Sequence, residues 1–213
     1  RVQRVGPERA VIAALRRIVP GEKTVGEAVA VTDDPGGVGV LTHVFLLDTV
    51  VLDGIVDHAA TKIVEQEARE WLVHSIDAFA LERKFLNQLT VAAGPIHRHS
   101  GQDRVNTVVE GQSRSIAMLA TSDRKGTAAG AAVAFVLDWL ATRPLLDRVA
   151  NSLGIEAPAC ALPDQRNSLS LISDLASSAT VQRAMLFGCE QMLAQQKGLW
   201  QLISARHQAN LAE

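Results

Sequence analysis

Two carboxylates in this 213-residue chain stand alone in apolar surroundings: Asp48 in VFLLDTVVL and Asp138 in AFVLDWLA. Each falls on the apolar side of the helix expected around it. A buried ionised carboxylate is costly unless a cation, a hydrogen-bond donor or a helix N-terminus meets it. Asp48 and Asp138 are therefore either structural ion pairs or polar spots in the wall of a ligand pocket. Arg114, Arg124 and Arg143 are the nearest cations for pairing.

Glu67, Glu70, His74 and Asp77 form a second group, because 3-4-3 spacing puts all four in one sector of a helix. Carboxylates and an imidazole so placed can hold a metal, and His43 and Asp48 could complete the set. Di-iron bundles use a Glu and a Glu-x-x-His on each half. Here the spacing is Glu70-x-x-x-His74, with no second copy. The same pattern suits a solvated stripe tied by i,i+4 pairs. His97 and His99 flank Arg98 in a polar loop, where a surface transition metal or water alone would satisfy them.

Other chemistries fail on the residues. Gly126-Thr-Ala-Ala-Gly130 lacks the Gly-Lys-Ser/Thr of a phosphate-binding loop, no GxGxxG follows a strand, and no Gly-x-Ser-x-Gly elbow exists. Asp33-Asp34 reads as a turn and cap, since Pro35-Gly36-Gly37 breaks the helix that an Asp-rich magnesium motif needs. Cys160 and Cys189 are far apart, with no CxxC, and are expected to be free thiols in a reducing compartment. Lys+Arg number 21 against 23 Asp+Glu, and aromatic residues are 4%, so neither a basic footprint nor stacking platforms for nucleic acid are present. No cofactor motif and no metal set emerges.

The elements that position these residues are helical. Strict apolar/polar alternation is missing, and the expected fold class is all-α: a single domain over 1–213 with about seven to nine mostly antiparallel helices. Short N-terminal helices in 1–35 would pack on a main bundle, 37–213. Pro7 starts the first and Pro20-Gly21 stops it. The apolar stretch Val38–Val56 should run through the middle of the bundle, and a break near Asp57-His58 precedes a helix with Val64, Ala68, Trp71, Leu72, Phe79, Leu86 and Leu89 on one face, ended by Gly94-Pro95. An amphipathic helix follows, carrying Val105, Val108, Val109, Ile116, Leu119 and Ala120. Asp123 is expected to cap the next, whose edge Gly126, Gly130 and Ala134 lets another backbone come close. Pro144 is expected to start a separate short helix ended by Gly154, and the two-proline stretch 156–163 then links to helices over 166–176 and 178–207. Val181, Met185, Gly188, Met192, Leu199 and Ile203 share one face of the last.

Val38–Val56 and Gly126–Leu146 are apolar enough to suggest membrane spans. His43, Asp48 and Asp53 in one and Asp138 and Arg143 in the other argue for buried core helices instead. The chain starts at Arg1 without an initiator Met, as a trimmed product would, and the cytoplasm is the expected location.

Three functions fit this pattern. The first is a non-enzymatic helical domain that binds a small apolar ligand or a partner helix, with Met118, Met185 and Met192 as adaptable packing. It calls for an apolar pocket with Asp48 or Asp138 in its wall. The second is a metal-dependent oxidoreductase using His43, Asp48, Glu67, Glu70 and His74, which requires three of those side chains to converge. The third is a homodimeric scaffold subunit joined through the Gly126, Gly130, Ala134 edge or the last helix.

Overall fold

A computed structural model describes residues 66–94 and 102–211. Among these the chain is all-helical, with no strand: α1 (Gln66–Ala93), α2 (Gln102–Ala120), α3 (Thr127–Ser152), α4 (Gln165–Leu175) and α5 (Ala179–Leu211). The expected elements before residue 66, with Val64, His43 and Asp48, and the His97–His99 pair lie outside the described residues.

Helix α1 forms because its inward positions recur at alternating steps of four and three and are apolar at all but Ser75 and Glu82. Ala68, Leu72, Phe79, Leu86 and Leu89 are buried along one stripe, and Trp71, Ala78 and Phe85 widen it. Gly94 ends the helix at φ +79°, a conformation that costs a residue without Cβ nothing. In α2 the buried face is narrower than the sequence suggests. Val109, Ile116, Leu119 and Ala120 face inward, whereas Val108 and Met118 face solvent, Met118 at 71% exposure. Met118 is therefore no part of the core that Met185 and Met192 help fill.

Helix α3 is the centre, and it packs most extensively on α5, with further contacts to α1, α2 and α4. It is long and apolar enough to cross a membrane by length and composition, but 72% of its apolar window is buried inside the fold. Two sequence expectations change here. Gly126, not Asp123, stands at the N-cap, at φ +105° and with no side-chain cap. Pro144 does not start a new helix: α3 runs unbroken from Thr127 to Ser152. Pro144 lies on the exposed side, so water can take over the hydrogen bond that its ring removes, while Trp139, Arg143, Leu146 and Val149 hold both halves to one core. The helix ends at Gly154 as expected, through two reverse bonds: Gly154 N–H to the Asn151 carbonyl (3.2 Å) and Ile155 N–H to the Ala150 carbonyl (2.8 Å).

Residues 155–164 form a non-helical strap that carries the buried Leu162 and Pro163. The Asp164 carboxylate then accepts the Asn167 N–H at 2.7 Å and caps α4, a signal the sequence reading left unused. Strap and α4 together return the chain to the start of α3. Next-but-one helices consequently run in the same sense: Phe79 meets Phe135 and Glu82 meets Arg143 between α1 and α3, and Gly126 meets Val181 while Gly130 meets Cys189 between α3 and α5. Phe79, Phe135 and Trp139 form an aromatic triad, with a stacked pair at 4.8 Å and an edge-on pair at 5.8 Å. Such pairs add about 0.5–1.5 kcal/mol beyond area burial.

The α3–α5 contact is backbone on backbone. A Cβ built on Gly130 would lie 2.1 Å from the Met185 carbonyl oxygen, and one on Gly188 would lie 2.1 Å from the Thr127 carbonyl oxygen. The Cys189 thiol donates to the Gly130 carbonyl across the same gap, at 3.1 Å. The small-residue edge is thus filled by α5 of the same chain and is not open to a second subunit. Replacing Gly130 by Ala should cost at least about 1–3 kcal/mol in urea unfolding, because backbone cannot rotate aside. Gly198→Ala is the contrasting case: its Cβ would meet nothing within 4 Å, and it should stabilise by about 0.4–1 kcal/mol.

Candidate functional site

Among the described residues, those singled out by the sequence are not gathered at one place. Glu67, Glu70, His74 and Asp77 all lie on the solvent side of α1, and Glu70 accepts a hydrogen bond from Gln66 Nε2 at 3.0 Å. They form the solvated stripe. Among the described residues no group of three or more His, Cys, Asp or Glu is placed to hold a metal. Asp138 is buried on α3 at 8% exposure and already has an interaction. The cations proposed for it have prominent other contacts: Arg114 pairs with Glu110 at 3.5 Å, Arg124 lies 5.9 Å from the Phe187 ring centroid, and Arg143 binds Glu82. Asp48 and His43 lie outside the described residues.

The polar centre of the fold is one that the sequence reading missed. Glu82 projects from the apolar stripe of α1 at 2% exposure, and each carboxylate oxygen is taken: Oε1 accepts from Arg143 Nη1 at 2.7 Å, Oε2 from Trp139 Nε1 at 3.0 Å. Arg143, 4% exposed, also donates from Nε to Asp147 at 3.0 Å and from Nη2 to the Pro158 carbonyl. Its guanidinium stacks 4.5 Å from the centroid of Phe85. Both partners are thus desolvated and fully engaged, the condition under which a buried pair is tolerable. Helices α1 and α3 and the strap meet on this one cation.

Cys160 sits on the strap beside this cluster, half-buried. Burial raises its thiol pKa above the ordinary 9.0, and the negative charge of Glu82 adds to the rise, against the lowering contacts of the Leu162 backbone and Arg143. Cys189 is pushed up to about 12, chiefly by burial and secondarily by Glu190. With both carboxylate oxygens of Glu82 occupied and both thiols held protonated, the cluster offers no general base and no activated nucleophile. Its work is to fix register.

A shallow surface depression lies elsewhere. A groove of about 630 Å³ on the outer side of the C-terminal half of α1 is lined by Ala80, Arg83, Lys84, Asn87, Gln88 and Val91 among others. Asp138 does not line it. Val91 is 81% exposed, Leu81 53% and Val73 46% along the same outward side of α1. Arg83 and Lys84 bring basic charge to the lining, and Arg83 already holds an interaction.

Two measurements check the buried chemistry. Glu82→Gln leaves the buried Arg143 cation only the half-exposed Asp147 as counter-charge and should lose up to about 3–5 kcal/mol of stability, with amide exchange rising first in residues 155–163. Thiol labelling of the folded chain should proceed slowly at Cys160 and not at Cys189 until the chain unfolds. Because the Cys189 proton is held to about pH 12 in the fold and is lost near 9.0 in the open chain, its contribution to stability should be constant below pH 9 and decline as pH rises from there, a decline that Cys189→Ser should reduce.

No curated protein and no solved structure matches the chain. A match over residues 41–210 covers α1 to α5 almost completely, and with it the Glu82–Arg143 pair, the glycine contact and the α1 groove. By this match the chain belongs to the family of unknown function DUF6975.

Proposed function

We propose that the protein is a helical binding module that works through the outer side of α1, and that what it takes is a helix presenting apolar and acidic side chains. The observation that carries this reading is the open, shallow surface along the C-terminal half of α1, apolar at Ala80 and Val91 and basic at Arg83 and Lys84. An amphipathic helix laid in such a groove gains apolar burial at its centre and charge complementarity at its edge. The interior offers no comparable invitation among the described residues, since the groove lies away from Asp138 and the buried carboxylate Glu82 is saturated by Trp139 and Arg143. A partner helix is therefore favoured over a small apolar ligand.

A photo-reactive residue at Gln88 in the full chain should cross-link a partner in its native cells, whereas one at the exposed Ser173 of α4 should not. Val91→Asp should abolish the Gln88 cross-link and leave thermal stability within about 0.5 kcal/mol, as surface substitutions do. Equal cross-linking at both positions, or cross-linking indifferent to Val91→Asp, would sink the proposal. Native mass measurement on the same material should give the mass of the chain, or of its complexes, without an organic or metal adduct.

A further inference from the structure

The outer side of α1 carries its own complement. Reading the exposed residues in steps of seven gives Glu70, Asp77, Lys84 and Val91 along one line, with Val73, Ala80 and Asn87 on one flank and His74, Leu81 and Gln88 on the other. Its N-terminal half is acidic, through Glu67, Glu70 and Asp77, and its C-terminal half holds the basic groove of Arg83 and Lys84. Exposed apolar residues, Ala80 and Leu81, lie where the halves meet.

Building on the partner-helix reading, we infer that the occupant of the groove is a second copy of this chain, whose α1 lies antiparallel across it. A two-fold axis between Ala80 and Leu81 sets Asp77 against the partner's Lys84 and Lys84 against the partner's Asp77. Ala80 then meets the partner's Leu81 at the centre, and Glu70 lies toward the partner's Val91. The axis falls close to the middle of the 28-residue helix, so nearly the whole length of about 42 Å overlaps. Parallel pairing is disfavoured, because it sets Asp77 on Asp77 and Lys84 on Lys84. The contact is isologous, so each substitution acts twice. It also leaves the α3–α5 glycine contact untouched, since that edge is filled within the chain.

Sedimentation equilibrium on the full chain tests this. The wild type should dimerise reversibly, and more weakly as salt is raised. Lys84→Asp and Asp77→Lys should each weaken the dimer at least about tenfold, because each creates two like-charge contacts. The double variant Asp77→Lys/Lys84→Asp should recover to within about threefold, since the swap rebuilds both pairs. Both positions of this cycle are solvent-exposed, and circular dichroism should report the same helix content throughout. A wild type that stays monomeric at about 100 μM, or a dimer indifferent to the single reversals, overturns the inference. If the chain is monomeric yet Gln88 cross-links a different protein in a Val91-dependent way, the partner-helix function stands and self-pairing fails. If neither self-pairing nor a Val91-dependent cross-link occurs, both fail.

Discussion

The approach of α3 to α5 at Gly130 and Gly188 is the constraint on which the rest of the fold depends. Side chains cannot fill a gap in which one helix's carbonyl occupies the place of the other's Cβ, so the two helices are seated by backbone shape. Such a seat is narrow. It fixes where Met185 and Cys189 enter the core and keeps most of the apolar surface of α3 away from solvent. It also brings two helices together in the same sense, which a short turn cannot do. The strap and α4 exist in the topology to make that return journey.

A return segment without regular hydrogen bonding has to be fastened by side chains, and the Arg143 guanidinium provides this at the Pro158 carbonyl. The same cation reaches across to Glu82 on α1, so one charged group coordinates the axial positions of three elements. A buried ion pair is a poor source of net stability, because desolvation of both partners offsets most of their attraction. Its value lies in the cost of misplacement: sliding α1 by one turn would take the buried Glu82 carboxylate away from both of its donors, Arg143 and Trp139, at once. The ring contacts of the aromatic triad tolerate more slippage than these directional bonds, since dispersion contacts re-form with other neighbours.

What could be read from the sequence follows from which forces are local. The apolar stripe of α1, the stop at Gly94, the reversal at Gly154 and the positions of α4 and α5 all emerge from periodicity and backbone conformation over a few residues. Glu82 interrupts that stripe between Phe79 and Leu86, and this was a usable sign, yet its partners lie 57 and 61 positions further along and no local pattern reveals them. Pro144 misleads for the opposite reason: the local rule that proline breaks a helix yields to burial on both sides of it. Val108 and Met118 show that apolar residues at nearly the right spacing still depend on which neighbour arrives. Of the candidate site residues, Asp138 is buried, as its apolar surroundings in the sequence suggest. Glu67 and His74 belong to a surface whose meaning depends on what meets it.

The order in which the chain is made gives the α3–α5 contact a temporal consequence. During synthesis α3 is complete while the strap, α4 and all 33 residues of α5 are still to come. Its glycine groove and apolar flank therefore stay uncovered until the C-terminal helix leaves the ribosome. A nascent chain paused after residue 152 presents the most apolar of the described helices without the α5 cover it will finally have.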